Sequence, residues 1–151
     1  LAQAKALHLC GDQHFGTVCW YGQDDWRTGT VAFTSPAMGN TWPRRWMPLE
    51  PGANRPLDAD GNLAAPRYTG DYFDGFGNRI TMLAVANPEE NGREPVLQMN
   101  RAPGFGLVRF QPGRKRMALE AWPTWEDGDM YPGWPMYVSA HGRPTGTLWE
   151  R

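Results

Sequence analysis

Lysine is almost missing from this chain: Lys5 and Lys115 are the two lysines among 15 basic residues. Cysteine is as scarce, with Cys10 and Cys19 alone. Two cysteines cannot build a disulfide framework or a four-thiolate zinc site. Both stand in apolar, strand-like surroundings, so buried free thiols are the expectation, with one disulfide across a hairpin as the alternative. No apolar run reaches the roughly 18 residues of a membrane span, and no signal peptide is visible. No long stretch is rich in Ala, Leu, Glu and Lys, which argues against a helical bundle. Neither sign of charge dominates. Fifteen Lys plus Arg against 16 Asp plus Glu leave a net charge of −1. That balance gives no electrostatic reason to expect nucleic acid or an anionic membrane as partner.

Other residues are plentiful. Eight Trp, 14 Pro and 18 Gly favour strands, turns and ordered loops over helices. Arginine supplies nearly all the positive charge. Its planar fork suits bidentate contacts with carboxylate or phosphate, although a compositional bias of the genome explains the same excess. The 151 residues fit one domain that can bury roughly 70% of its unfolded surface. The chain begins at Leu1 rather than Met and runs almost at once into a strand-like segment. We therefore expect a portion of something longer, with any targeting segment upstream.

Residues 4–9, 15–20 and 30–34 read as strands, with residues 21–29 as a polar loop. Residues 40–48 can hold a single helical turn begun by Pro43. Residues 50–79 are dense in Pro, Gly, Asp and Asn. They read as a long loop excursion of the kind that is usually functional or disordered. Tyr68, Tyr72, Phe73 and Phe76 argue that part of this segment packs. Residues 80–86 form a credible buried strand, and 88–94 a charged turn region. Residues 106–110 and 116–122 form a strand pair around the turn signal Pro112-Gly113. Alternation there puts Met117, Leu119 and Ala121 on one face. Residues 136–139 give a last strand.

Chemistry concentrates in the first twenty residues. Residues 9–15 read Leu-Cys-Gly-Asp-Gln-His-Phe. Gly11 permits an unusual backbone where the strand stops. Asp12 and His14 are two apart, and in an extended segment such residues point to one side. A carboxylate and an imidazole can thus converge beyond a strand end, where ligands often gather in sheet proteins. That donor pair suits zinc, manganese or iron, and carboxylate alone suits calcium or magnesium. A capped turn with an exposed His has the same sequence, so the tetrapeptide does not decide between them.

The segment 9–15, followed by Phe33-Thr34-Ser35-Pro36-Ala37, resembles the late part of the alkaline phosphatase D-like metallophosphatases. In that family a hydrophobic strand ends in Ser-Gly-Asp-x-His, and a strand ending near Ser-Pro follows. The stretch from Asn40 through Met47 to Pro48, that from Gly104 to Phe110, and Glu120-Ala121-Trp122-Pro123 resemble a branch of uncharacterised relatives. Cys10 stands where many members have Ser. The resemblance is strongest over the first 50 residues and loosest over residues 50–78.

The resemblance implies an α/β calcineurin-like sandwich of two facing sheets flanked by helices, of which this chain is a β-rich C-terminal part with long loops. It implies a two-metal site (Fe, Zn, Mn or Ca) hydrolysing phosphate esters. In it Asp12 and His14 would be metal ligands, His14 also taking part in catalysis. The remaining ligands would lie in the missing N-terminal part of the same protein, leaving this portion inactive alone. Family members are often exported, which would place the parent in the periplasm or outside the cell.

Further candidates are weaker. Arg44 and Arg45 can hold a phosphate oxyanion, and Asp25, beside Asp24 and Trp26, can line a cleft. Salt bridging or surface exposure is the plainer reading of the two arginines, and a solvated turn that of Asp25. His8 reads as a sheet histidine and His141 as an exposed loop histidine. The Gly-Asp pairs at Gly70-Asp71 and Gly128-Asp129 do not follow strands as the family's do. The Trp-rich composition keeps a competing class open: a non-catalytic, β-rich carbohydrate-binding or structural module using exposed Trp and Tyr.

Overall fold

The apolar runs sort into strands wherever Val, Ile, Phe, Thr and Trp cluster, because branched and aromatic side chains suit a pleated, half-buried surface. A computed structural model of the protein describes residues 1, 3–39, 44–57, 59–62, 68–87, 102–124 and 128–146. Their strands are β1 (His8–Cys10), β2 (Thr17–Tyr21), β3 (Val31–Thr34), β4 (Gly70–Phe73), β5 (Arg79–Val85), β6 (Gly104–Gln111), β7 (Arg116–Pro123) and β8 (Met136–Ser139). A short 3-10 turn, Pro112–Arg114, joins β6 to β7. The chain is β-rich, with almost no helix among the described residues. No helix among them is long and apolar enough to cross a membrane.

Two sheets result. Sheet I has the order β1-β3-β2-β5-β4, and sheet II the order β6-β7-β8. Within sheet I, β1 runs parallel to β3, whereas β2 pairs antiparallel with both β3 and β5. Strand β3 is buried at every position, as expected where both faces of a sheet are covered.

One face of sheet I packs on sheet II. Val18, Val31, Phe33 and Leu83 from the first meet Leu119, Ala121, Met136 and Val138 from the second in a single apolar cluster. The rings of Phe33 and Trp134 close the gap with centroids 5.7 Å apart. Val18, Val31, Leu119 and Val138 are fully buried, each adding about 1.5–3 kcal/mol of transfer free energy. Gly106 lets the sheets approach: a Cβ there would lie 2.7 Å from Phe33 Cζ, and its N–H donates to Ser35 Oγ at 2.9 Å. The opposite face of sheet I carries Cys19, Ile80 and Met82, covered by Trp46 and Tyr72. Trp46 is pinned there, its Nε1 donating to Tyr68 O at 3.1 Å and its ring meeting Tyr72 edge-on at 5.3 Å.

The strand pair around Pro112-Gly113 forms as expected, lengthened to full register from Gly104↔Pro123 to Gln111↔Arg116. Leu119 and Ala121 face the core, with Met117 at its margin. The last strand is Met136–Ser139. Three expectations shift. The first strand is shorter and later, because residues 3–5 form a turn in which Lys5 adopts φ 50. The excursion over 50–79 contains strand β4, bridged back to the loop through Ala53↔Asp71. The two glycine-bearing segments meet closely there: a Cβ on Gly70 would fall 2.7 Å from the Gly52 backbone. Residues 44–48 are irregular, and Pro43, the expected start of a helical turn, lies outside the described residues, as does the expected turn region 88–94. Both cysteines are free, Cys19 buried and Cys10 half-buried.

Candidate functional site

Cys10 and Thr17 both stand opposite Thr34, one on each side of β3. Residues 11–16 therefore bridge two strand spacings, about 10 Å. Six residues exceed that span, so the loop bows over the C-terminal end of β3. Ser35 is held beneath it, its N–H donating to Cys10 O at 3.0 Å. The far end of the loop is fixed by Phe15, which enters the core, and by Gly16. The Gly16 carbonyl accepts the Ala86 N–H at 2.8 Å, and a Cβ at that glycine would sit 2.8 Å from Pro36 Cγ.

On this loop Asp12 has φ 69 and His14 φ 64. Both lie in the left-handed region, uncommon for residues with a side chain although Asp and His enter it more readily than most. Asp12 is exposed and His14 half-buried. Two parts of the sequence argument are corrected here. The left-handed backbone falls on Asp12 and His14 and not on Gly11, which has open space around it. Residues 13–15 are bends, so strand alternation does not govern where the two side chains point.

A resident two-metal centre asks for more donors than these. Zinc takes four ligands and calcium six to eight. Among the described residues no three of His, Cys, Asp and Glu are grouped to hold a metal ion. Asp12 and His14 alone do not fit such a centre.

Of the other candidates, Arg45 is half-buried and directly precedes Trp46, whose backbone lies at the same end of sheet I. Its neighbour Trp46 exchanges hydrogen bonds with the Asn87 side chain at 3.3 and 2.8 Å, and Asn87 follows directly on Ala86, the partner of Gly16. Arg44 beside it is exposed. Asp25 is not brought to Asp12 and His14. It lies beyond Tyr21 at the opposite end of β2, an exposed turn residue whose Oδ1 accepts the Trp26 N–H at 2.7 Å. His8 is half-buried on β1, and His141 is exposed.

A buried polar cluster escaped the sequence. Asp71, 4% exposed, accepts from Arg27 Nη1 at 2.6 Å, Thr81 Oγ1 at 2.5 Å and Asn54 Nδ2 at 3.0 Å. No local pattern marks it, since Arg27 lies 44 residues away. Its chemistry is structural: a buried carboxylate needs partners of this kind. On sheet II, Glu120 accepts from Arg109 Nε at 2.6 Å and Trp122 Nε1 at 2.9 Å.

Indoles serve the fold in the same way. Trp134 is buried. Trp20 donates to Gly29 O at 3.3 Å and carries the Arg143 guanidinium over its ring. Burial pushes the Cys19 thiol up to about 12 and raises the Tyr72 and Tyr21 phenols above their ordinary value. The chain matches no family model, and comparison with curated proteins and with solved structures gives no match.

Proposed function

We propose that this chain is the β-rich part of a metal-dependent phosphoesterase of the alkaline phosphatase D-like type, in which the 11–16 loop presents Asp12 and His14 to a phosphate ester. The observation that carries the reading is the pair of left-handed backbones at those two residues. Each costs roughly 1–3 kcal/mol and persists only where the surroundings impose it, most often at ligand-binding and catalytic positions. A carboxylate and an imidazole stand there at a strand end, and Arg45 precedes Trp46, whose backbone bonds Asn87 at the same end of the sheet. The resemblance of residues 9–15 and 33–37 to the last motif of those phosphatases points the same way.

In this reading the flanking helices of a calcineurin-like sandwich, and the metal ligands beyond Asp12 and His14, belong to other parts of the same protein. No metal-borne step follows from the residues described. Asp12 offers only acceptor oxygens. His14 can donate to a phosphate oxygen or pass a proton, with Arg45 as a cation for the same group.

The test uses the intact parent protein and p-nitrophenyl phosphate, with bis(p-nitrophenyl) phosphate as the diester. Asp12→Ala and His14→Ala should each lower turnover by about 100-fold or more, the usual order for a lost catalytic group, while alanine at a left-handed position lowers the unfolding free energy by only about 1 kcal/mol. Chelation should have the same effect as either substitution. Near-normal turnover in both variants would end the proposal.

A further inference from the structure

A concave site lies at the Gln111 end of β6, away from the 11–16 loop. It is a cleft of about 550 Å³ between the β6–β7 turn and the turn that follows β8. Its size is that of small-molecule sites. Phe110, Pro112 and Met117 give it an apolar wall, and Lys115 and Arg116 are the charged residues of its lining. No Asp or Glu occurs in residues 110–117 or 139–143, which hold Arg114, Lys115, Arg116, His141 and Arg143. In a chain of net charge −1 these two segments carry a local excess of positive charge. Phe110 is 74% exposed, a large apolar surface left in water beside it.

The cleft is preformed. Lys115 is fixed in the left-handed region at φ 49, its N–H closing the 3-10 turn onto Pro112 O. Its carbonyl accepts the Ala140 N–H at 3.0 Å, clamping the two turns together. The Arg116 guanidinium lies 3.8 Å above the Tyr137 ring, with Nε donating to Gln111 Oε1 at 2.8 Å. Those contacts remove much of the rotamer freedom that binding would otherwise have to remove. Strand β6 separates this place from the 11–16 loop. Its Gly104 end lies by Ala37, and its eight residues extend about 25 Å to the cleft.

We propose that this cleft binds an amphipathic monoanion, an acyl or aryl carboxylate. The apolar body lies against Phe110 and Met117, and the carboxylate meets Lys115. An apolar wall alone would accept alcohols and amines of the same chain length. The Lys115 charge selects the anion.

The experiment is a titration of the chain with octanoate, followed by backbone amide NMR shifts, with octylamine and octanol in parallel. Octanoate should saturate with Kd of about 1 mM or tighter, and move the amides of residues 110–117 and 139–141. Octylamine should bind at least tenfold more weakly. Lys115→Asn keeps a residue that tolerates the left-handed backbone and removes the charge. It should weaken octanoate at least fivefold and leave octanol unchanged. Phe110→Ala, at a solvent-exposed position, should weaken all three. Equal binding of octanoate and octylamine, shifts elsewhere, no saturation, or no effect of Lys115→Asn on octanoate would each overturn the proposal.

Discussion

A backbone held at positive φ stores free energy that a glycine would release. His14 illustrates it, at φ 64 on the loop over β3. His14→Gly should leave the unfolding free energy unchanged or raise it by up to about 1 kcal/mol, the relief of strain being partly offset by glycine's greater unfolded-state entropy. Urea titration measures it. A loss beyond about 1 kcal/mol would mean that the side-chain contacts of His14 outweigh the backbone cost. The same variant of the parent should lose phosphoesterase activity, so stability and turnover would move apart.

Cys19 gives a pH dependence at the same scale. Burial lifts its thiol from the ordinary 9.0 to about 12. Between those values the unfolded chain releases the proton while the folded chain keeps it. Stability therefore falls as pH rises through that window, by at most about 1.4 kcal/mol per pH unit, and is unaffected by this group below it. Urea midpoints from pH 8 to 11 should fall more steeply for the unaltered chain than for Cys19→Ala, and equal slopes would show that the thiol is not buried. Sequence alone placed Cys19 in an apolar strand, and its burial was legible there. The backbone angles of Asp12 and His14 were not. They belong to the loop that joins β1 to β2 across the end of β3, a path that appears only when strand order is known.

At the scale of elements, β4 is held to the sheet by more than its ladder. Asp71 joins β4, Thr81 of β5, Arg27 of the 21–29 loop and Asn54. Asp71→Ala would leave Arg27 and Asn54 facing an apolar gap, and should cost about 3 kcal/mol. Asp71→Asn, which keeps an acceptor, should cost less. Equal stability of Asp71→Ala and the parent chain in guanidinium would show that the cluster is solvated. Strand β4 was hidden because Gly70-Asp71 reads as a turn, and its pairing rests on partners distant in sequence. Strands β7 and β8 were legible because Leu119, Ala121, Met136 and Val138 alternate across a single buried face, and β6 because the Pro112-Gly113 turn signal sets it against β7.

The whole molecule depends on two sheets sharing one core. Neither buries Leu119, Val31 or Phe33 by itself, so the sheets should melt together. Far-ultraviolet circular dichroism and tryptophan fluorescence should give coincident transitions. Gly106→Ala tests the contact between them. Its new methyl would press on Phe33 and Ser35 and should cost about 1–3 kcal/mol, moving both probes equally. A shift of one probe alone would separate the sheets into independent units. Sequence composition announced a β-rich chain, yet not which sheet each strand joins, since pairing such as β1 with β3 leaves no periodic trace.

Gly106 and Ser35 touch although 71 residues separate them, and Arg143 reaches the carbonyl of Arg27 across 116. Chain closure over such distances comes before any reward from the contact. Folding of this molecule should then be governed by topology, on the millisecond-to-second scale of non-local β proteins. During that search β6 is an unpaired apolar edge, and a neighbouring chain competes for it with β7. Dilution and low temperature during refolding would favour the intramolecular partner.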